Sequence, residues 1–346
     1  MNISYQPLWN LLETKKINKK DFLKITNIST SCYKNLVNKK EINLTEIVKI
    51  CEALNCDFKE LFLLKEEKQT LSSVVKWVGG KKQIQDTIIN LIPKQFNNYI
   101  EPFIGGAAIL FALQPKNAII NDLNTELINV YNVIKKEPFK LICLLETHKK
   151  NHNEEYFYKI RNLDRTKQYN KLSDIKKAAR VIYLNKTCFN GLYRVNKDGY
   201  FNTPFGRYKN PSILNKQNIL NVSKYLNENN IQILNKDYKE ILELAKPGDF
   251  IYLDPPYMSI SQSSSFTSYT QDGFDIQQQI GLKEQCDLLT KKGIKFLLSN
   301  SDCQFIRELY KDYEILVVKA KRAINSKAEK RGHINELLIS NYKKEE

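Results

Sequence analysis

From Val74 onward, short runs rich in β-branched and aromatic residues alternate with segments of helical periodicity, which leaves few folds open to the chain. The runs are "NYIEPF", "NAIIND", "IQILNKD", "DFIYLDPPY", "IKFLLSN" and "YEILVVKAKR", with helices expected between them, among them Gln85 to Leu91 and Ile276 to Lys291. Successive parallel strands need a long crossover, and a helix fills it, so the alternation predicts an α/β domain with a mostly parallel sheet covered by helices. Between His148 and about Leu226 the pattern is broken by a polar, helical and then turn-rich insert containing "FNGLYRVNKDGYFNTPFGRYKNP", which reads as a separate subdomain.

Residues 1–64 follow another grammar. Apolar residues recur at three- and four-residue steps (Leu8, Leu11, Leu12; Phe22, Ile25; Tyr33, Leu36, Val37; Leu44, Ile47, Ile50, Leu54; Leu61, Phe62), predicting a small all-α domain of about five short helices. Ser29, within "NISTSCYKNL", is placed to cap a helix after the short turn that follows "DFLKIT". The exposed face of that helix is expected to carry Ser31, Cys32, Lys34 and Asn35. This is helix-turn-helix spacing, and the segment resembles the phage-repressor type of DNA-binding domain, which implies DNA contact by Lys34 and Asn35; a plain dimerisation module is the alternative. The charged and then small, polar stretch "LKEEKQTLSS" predicts a linker over residues 65–73, leaving 74–346 as the larger domain.

With 54 Lys and Arg against 38 Asp and Glu, the 346-residue chain carries a formal net charge of +16, which favours polyanions through counterion release. Nucleic acid is the partner this suggests, although the abundance of Lys, Asn and Ile also fits an A·T-rich coding sequence. The seven cysteines form no Cys-x-x-Cys pair, so neither a disulfide framework nor a zinc site is expected. His148 and His152 have the spacing of a helical metal pair, yet "THKKNHNEE" offers no clear third ligand and predicts a solvated helix end. No metal is expected. No apolar run reaches the roughly 18 residues of a membrane span, and the N-terminus lacks a signal pattern, so a cytoplasmic protein is expected.

Two strand ends carry chemistry. In "YIEPFIGGAAILFAL" a strand ending at Phe103 passes through Gly105 and Gly106 straight into an apolar helix, a turn that brings backbone close to a ligand at the open edge of the sheet. The next strand ends at Asp122, where an acid can accept both ribose hydroxyls of a nucleoside. A dinucleotide suits the same spacing, but no G-x-G-x-x-G is present to grip phosphates, which favours a cofactor without them, such as S-adenosylmethionine. Upstream, "KWVGGKKQ" offers Trp77 as a ring to cover a sulfonium and Lys81 as a partner for the cofactor's carboxylate; taken alone, both fit a loop before a helix.

The second strand end is "YLDPPY". By itself it is a strand end and a turn, because proline fixes φ and supplies no ladder N–H. Beside the cofactor signals it reads as a grip for a flat, amine-bearing base. The exocyclic amine of adenine is a poor nucleophile because its lone pair is delocalised into the ring, so it must be aligned and its electron density raised. Asp254 is expected to accept one N–H and the Pro255 carbonyl, aimed by the rigid Pro255–Pro256 backbone, the other. Tyr257 is expected to stack on a base that has left the helix.

Taken in order, "KWVGGK", "EPFIGG", "IIND", the long insert, "DPPY", "LLSN" and "KAKRAI" resemble the Dam-like, alpha-ordered DNA adenine-N6 methyltransferases from about Lys76 to Tyr342. The resemblance implies a Rossmann-like methyltransferase sheet with an inserted helical and hairpin target-recognition subdomain, S-adenosylmethionine as methyl donor, and double-stranded DNA, read at GATC, as substrate. It implies a cofactor pocket lined by Trp77, Lys81, Glu101, Pro102, Phe103, Gly105, Asp122, Asp237, Tyr238 and Asp254. "GGAA" stands where the family often has "GAGS", a departure in the cofactor loop. Arg194 falls where the family sets an arginine on guanine O6 and N7. Leu192 and Pro204 fall at thymine-methyl contacts, Phe189 beside Asn190 where an aromatic wedges into the duplex, and Arg207 and Tyr208 at backbone contacts.

Related tetrapeptides serve several planar amines, so a methyltransferase of RNA adenine or of protein glutamine also fits, although glutamine enzymes more usually carry Asn at the position of Asp254. From another class comes a transcriptional repressor with a degenerate methyltransferase domain. A place in a restriction-modification system, operator binding by the N-terminal domain, and a monomer or weak dimer complete the expectations.

Overall fold

The computed structural model describes residues 2–65, 70–257, 274–321 and 333–343. The chain divides into two compact units, Met1–Thr70 and Leu71–Glu346. Residues 66–69 of the expected linker and 322–324 of "KAKRAI" lie outside the described residues.

In the first unit β1 (Asn2–Ser4) is followed by helices α1 (Gln6–Thr14), α2 (Lys19–Thr26), α3 (Thr30–Val37) and α4 (Leu44–Leu54), which close on Leu8, Phe22, Leu36, Ile50 and Leu61. Each of α2, α3 and α4 starts where a side chain accepts an otherwise unpaired amide: Asn18 from Asp21 N, Ser29 from Cys32 N and Asn43 from Glu46 N. The unit is not all-α. β1 pairs antiparallel with β2 (Leu63–Lys65) from the far end of the segment, and three-residue strands are too short for alternation to reveal. The expected fifth helix is a single 3-10 turn, Phe58–Glu60. Cys32 is also corrected: it is 2% exposed, one helical turn before Leu36 in the core, while Ser31 and Lys34 are exposed and Asn35 half-buried.

The second unit is built on a seven-stranded sheet. In chain order its elements are α5 (Gln85–Leu91), β3 (Tyr99–Glu101), α6 (Ala108–Leu113), β4 (Asn117–Asn121), α7 (Thr125–Lys136), α8 (Pro138–Lys150), α9 (Glu154–Arg161), α10 (Asp174–Thr187), α11 (Lys216–Glu228), β5 (Asn230–Leu234) and α12 (Tyr238–Glu243). There follow β6 (Phe250–Leu253), α13 (Ile276–Lys291), β7 (Lys295–Ser301), α14 (Gln304–Leu309), β8 (Glu314–Lys321) and β9 (His333–Ser340). The spatial order is β5-β4-β3-β6-β7-β9-β8, parallel from β5 to β7, with β9 inserted antiparallel between β7 and β8. The strand missing from the sequence expectation is β9. Its apolar residues bunch at Leu337, Leu338 and Ile339, all buried, so period-two alternation is lost.

Alternate strand residues divide the core. Tyr99, Phe250, Tyr252 and Leu297 pack with residues of α6, α7, α8, α10 and α11 on one face, while Ile100, Ile251, Leu253, Phe296 and Leu298 pack with α12, α13 and α14 on the other. The insert is not wholly separate, because α10 and α11 lie in the first of these cores through Ala178, Ala179, Val181, Ile182, Ile219, Val222 and Leu226. Only a smaller cluster around Phe157, Tyr183, Cys188, Phe201 and Ile213 is its own. The helix end expected at the two histidines is there, with Thr147, Lys149, Lys150 and Asn151 exposed, but the same packing leaves the histidines themselves half-buried. His148 stacks on Tyr183 at 4.8 Å and lies 2.8 Å from Tyr156 Oη, and burial lowers its pKa to about 4. His152 Nδ1 lies 2.9 Å from Tyr183 Oη. Helices α9 and α10 supply these tyrosines, a covering that local polarity cannot reveal. Among the described residues no cluster of acids, cysteines and histidines suits a metal ion, and no helix is long and apolar enough to cross a membrane.

Candidate active site at the carboxyl edge of the sheet

Parallel strands deliver their carboxyl ends to one edge, and the expected residues gather there. After β3 the chain turns at Gly105, with φ +45°, and a Cβ at that position would meet Trp77 Cδ1 at 3.1 Å, so glycine is what lets the ring close on the turn. Asp122, just beyond β4, holds the turn: its Oδ2 accepts from Gly105 N at 3.1 Å and its Oδ1 from Asn124 N at 2.9 Å. Burial raises the Asp122 pKa, and those amides pull it back down. Tyr131 Oη donates to Gly105 O at 2.7 Å.

Asn121, which the sequence did not single out, ties three strand ends together. Its Nδ2 donates to the carbonyls of Pro102 and Lys236, both at 3.0 Å, and its Oδ1 accepts from Lys236 N at 2.8 Å. That places Asp237, the cap of α12, and Tyr238 beside the turn, with the Tyr238 ring 5.3 Å from that of Phe103. Glu101 is buried and accepts from Tyr99 Oη at 2.8 Å; burial pushes its carboxyl well above the usual range.

At the end of β6 stands Asp254. Its Oδ1 lies 2.8 Å from Lys81 Nζ, an ammonium only 3% exposed that also donates to the Gly79 carbonyl. The sequence expectation put Lys81 on the cofactor's carboxylate; the structure sets it on Asp254. Burial raises the Asp254 pKa to about 6, against the opposing pull of Lys81. Lys81 Nζ also lies 4.6 Å from the centroid of the Tyr257 ring. Pro255 is buried and Pro256 exposed, and the Pro256 carbonyl accepts from Gln279 Nε2 at 3.2 Å. Gln279, fully buried, in turn accepts from Asn300 Nδ2 at 3.0 Å. Two amides from α13 and β7 thus pin the Pro-Pro backbone. A glutamine in a helix carries no local mark of that role.

The insert joins this edge through Trp77, which stacks on Tyr193 with centroids 5.1 Å apart. Asn185 on α10 clamps the segment, donating to the carbonyls of Lys76 and Gly191 and accepting from Lys76 N. Beyond Gly191 the chain doubles back, with bridges Cys188–Phe205 and Val195–Phe201. Arg194 is exposed, and its Nε donates to Asn202 Oδ1 at 2.7 Å. Phe189, Pro204, Arg207 and Tyr208 are exposed too, with Phe189 N donating to Pro204 O at 2.8 Å; Asn190 and Leu192 are half-buried. The hairpin is held at Phe201, whose N–H donates to Asp164 Oδ2 and whose carbonyl accepts from Arg165. Buried Arg180 pairs with Asp164 at 2.7 Å. Arg180→Ala removes one of two cations on Asp164, which keeps Arg165 at 2.6 Å, and leaves the Ile160 and Arg161 carbonyls without their donor; it is expected to cost about 2 kcal/mol, read as a fall in the urea midpoint.

Lys34 and Asn35 belong to the first unit. Residues 77–324 match the model of the D12 class N6 adenine-specific DNA methyltransferases, and residues 7–67 that of the Cro/C1-type HTH DNA-binding domain. The type II methyltransferase M1.LlaDCHI of Lactococcus lactis subsp. cremoris is 44% identical over 280 residues, 81% of this chain and 99% of that protein. The type II methyltransferase M.MjaIII of Methanocaldococcus jannaschii is 43% identical over 286 residues, 78% of this chain and 98% of its own length. The DNA adenine methylase of Escherichia coli K12 is 32% identical over 267 residues, covering 76% and 93%.

Proposed function

Since the chain belongs to the D12 class of N6 adenine-specific DNA methyltransferases, with a Cro/C1-type domain ahead of the enzyme, we propose that it methylates N6 of an adenine turned out of duplex DNA within GATC, using S-adenosylmethionine. The observation that carries the proposal is the carboxylate of Asp254, held at the open end of β6 beside the Tyr257 ring and a pinned Pro-Pro backbone. We further propose that it serves as the modification component of a type II restriction-modification system, as the names of two relatives suggest.

The strand ends suit the cofactor as a Rossmann-like cradle. Gly105 lets backbone come close, Asp122 keeps acceptor capacity beyond its two amide bonds, and Trp77, Phe103 and Tyr238 supply apolar ring surface. Glu101, Pro102 and Asp237 border the same edge. When bound, the cofactor supplies an electrophilic methyl group on a positively charged sulfur. The chain's own residues act on the amine. Asp254 accepts one N6–H and the Pro255 carbonyl the other, which concentrates lone-pair density on nitrogen. Gln279 occupies the neighbouring carbonyl and so fixes the direction of the dipeptide. Tyr257 stacks on the flipped base.

On the DNA side, Arg194 reads guanine, Leu192 and Pro204 meet the thymine methyl, Phe189 and Asn190 enter the gap, and Arg207 and Tyr208 hold the backbone. Arg194→Ala is expected to lose about 1–3 kcal/mol of discrimination at the guanine, measured on single-base variants of GATC. DNA from expressing cells, cut with nucleases that differ in sensitivity to methylated GATC, tests target and base together. Protection from the methyl-sensitive nuclease alone supports the proposal; cutting by it contradicts it.

The first unit has a regulatory part in this proposal, since a frequent tetranucleotide needs no second reader. Lys34 and Asn35 on α3 contact a longer operator. Removing residues 1–68 is expected to leave GATC methylation nearly intact and to erase a footprint on upstream DNA. Equal loss of affinity for upstream and random DNA contradicts the operator role.

A further inference from the structure

We propose that Glu336, on the antiparallel strand β9, is a positioning residue for methyl transfer: it anchors the Tyr257 ring against Lys81 and so sets the surface on which the base stacks. The proposal rests on the roles given above to Asp254 and Tyr257. Glu336 Oε2 accepts from Tyr257 Oη at 2.8 Å. In register, Glu336 lies opposite Ser301, at the carboxyl end of β7, and β7 is the neighbour of β6. The inserted strand therefore brings a carboxylate to the active-site edge from the far side.

A tyrosine after two prolines has little ladder to hold it, and a ring that swings cannot present a defined face. Here both ends of the problem are met. Lys81 Nζ, bound to Asp254 at 2.8 Å, lies over the ring at 4.6 Å from its centroid, and the Glu336 carboxylate holds the hydroxyl. With one face against the ammonium and the hydroxyl held, the ring has a fixed plane on which the proposed stacking depends. The groups acting on Asp254 are Lys81, Tyr257 and Glu336, with Glu101 and Tyr252 from the strands beside it. Glu336 repels the Asp254 charge while Lys81 attracts it.

The test uses full-length protein, labelled S-adenosylmethionine and a GATC duplex. Glu336→Leu is expected to lower kcat about tenfold with little change in KM for DNA, Tyr257→Phe to fall to the same level, and the double variant to fall no further. Glu336→Gln, which keeps an acceptor but drops the charge, is expected to retain most of kcat and to move the acid limb of the pH profile to lower pH. A merely structural role predicts neither this rescue by the isosteric glutamine nor coincident losses at Tyr257 and Glu336. Wild-type kcat in Glu336→Leu, multiplied losses in the double variant, or failure of Glu336→Gln to retain kcat each overturns the role. A wild type that methylates, beside variants that match it, removes Glu336 alone; a wild type that does not methylate adenine removes the reading of the site with it.

Discussion

Asp254→Ala is expected to reduce methyl transfer by about 10²–10³-fold or more while duplex affinity stays near wild type. On the role proposed for Asp254 the amine loses the acceptor that raises its electron density, whereas affinity is expected to come mainly from phosphate contacts made elsewhere. Because Lys81 is 3% exposed, the alanine variant also leaves a buried ammonium without its carboxylate. Asp254→Asn, which keeps the shape and an amide oxygen for Lys81, together with a melting curve of each variant, separates lost chemistry from lost stability. Counting labelled methyl groups on DNA and measuring duplex binding on the same preparations decides it, and turnover near wild type in both variants would remove Asp254 from the mechanism.

Lys81→Met should give the second largest effect, and one that depends on pH. Asp254 has a pKa of about 6, raised by burial and held down by Lys81. The ionised form is the stronger acceptor and the one whose charge raises electron density on the amine, so wild-type activity is expected to halve near pH 6 and to fall below it. Without the ammonium, the Asp254 pKa climbs further, the residue is largely protonated at neutral pH, and the acid limb moves up by about one unit or more. Activity should return toward about pH 9 as the carboxyl ionises again. A pH–rate profile reads this directly. If Lys81 instead binds the cofactor's carboxylate, the variant raises KM for S-adenosylmethionine and leaves the limb where it was.

Local order in the chain made much of the fold legible. The strand runs ending at Glu101, Asn121 and Leu253 are bounded by the turn and acid residues that the structure places at the sheet edge, and Gln85–Leu91 and Ile276–Lys291 are helices as their periodicity predicts. Ser29 caps α3 because capping is decided within a few residues. What stayed hidden is non-local. The β1–β2 ribbon joins the two ends of the first unit, and the covering of His148 by Tyr156 and Tyr183 comes from other helices. The site shows the same division. "DPPY", Gly105 and Asp122 are marked by their neighbours in sequence, whereas Asn121, Asn185, Gln279 and Glu336 act through partners that only folding brings near. Lys81 belongs to both groups: its motif marks the residue, and only packing shows that its ammonium is set on Asp254.

The most direct test of the central claim is nucleoside mass spectrometry after incubating the purified full chain with labelled S-adenosylmethionine, a GATC duplex, and the same duplex with the two central bases exchanged. The account predicts N6-methyladenine in the GATC duplex and almost none in its partner. Methylcytosine, equal labelling of both duplexes, or label carried only by RNA or by protein glutamine would contradict it.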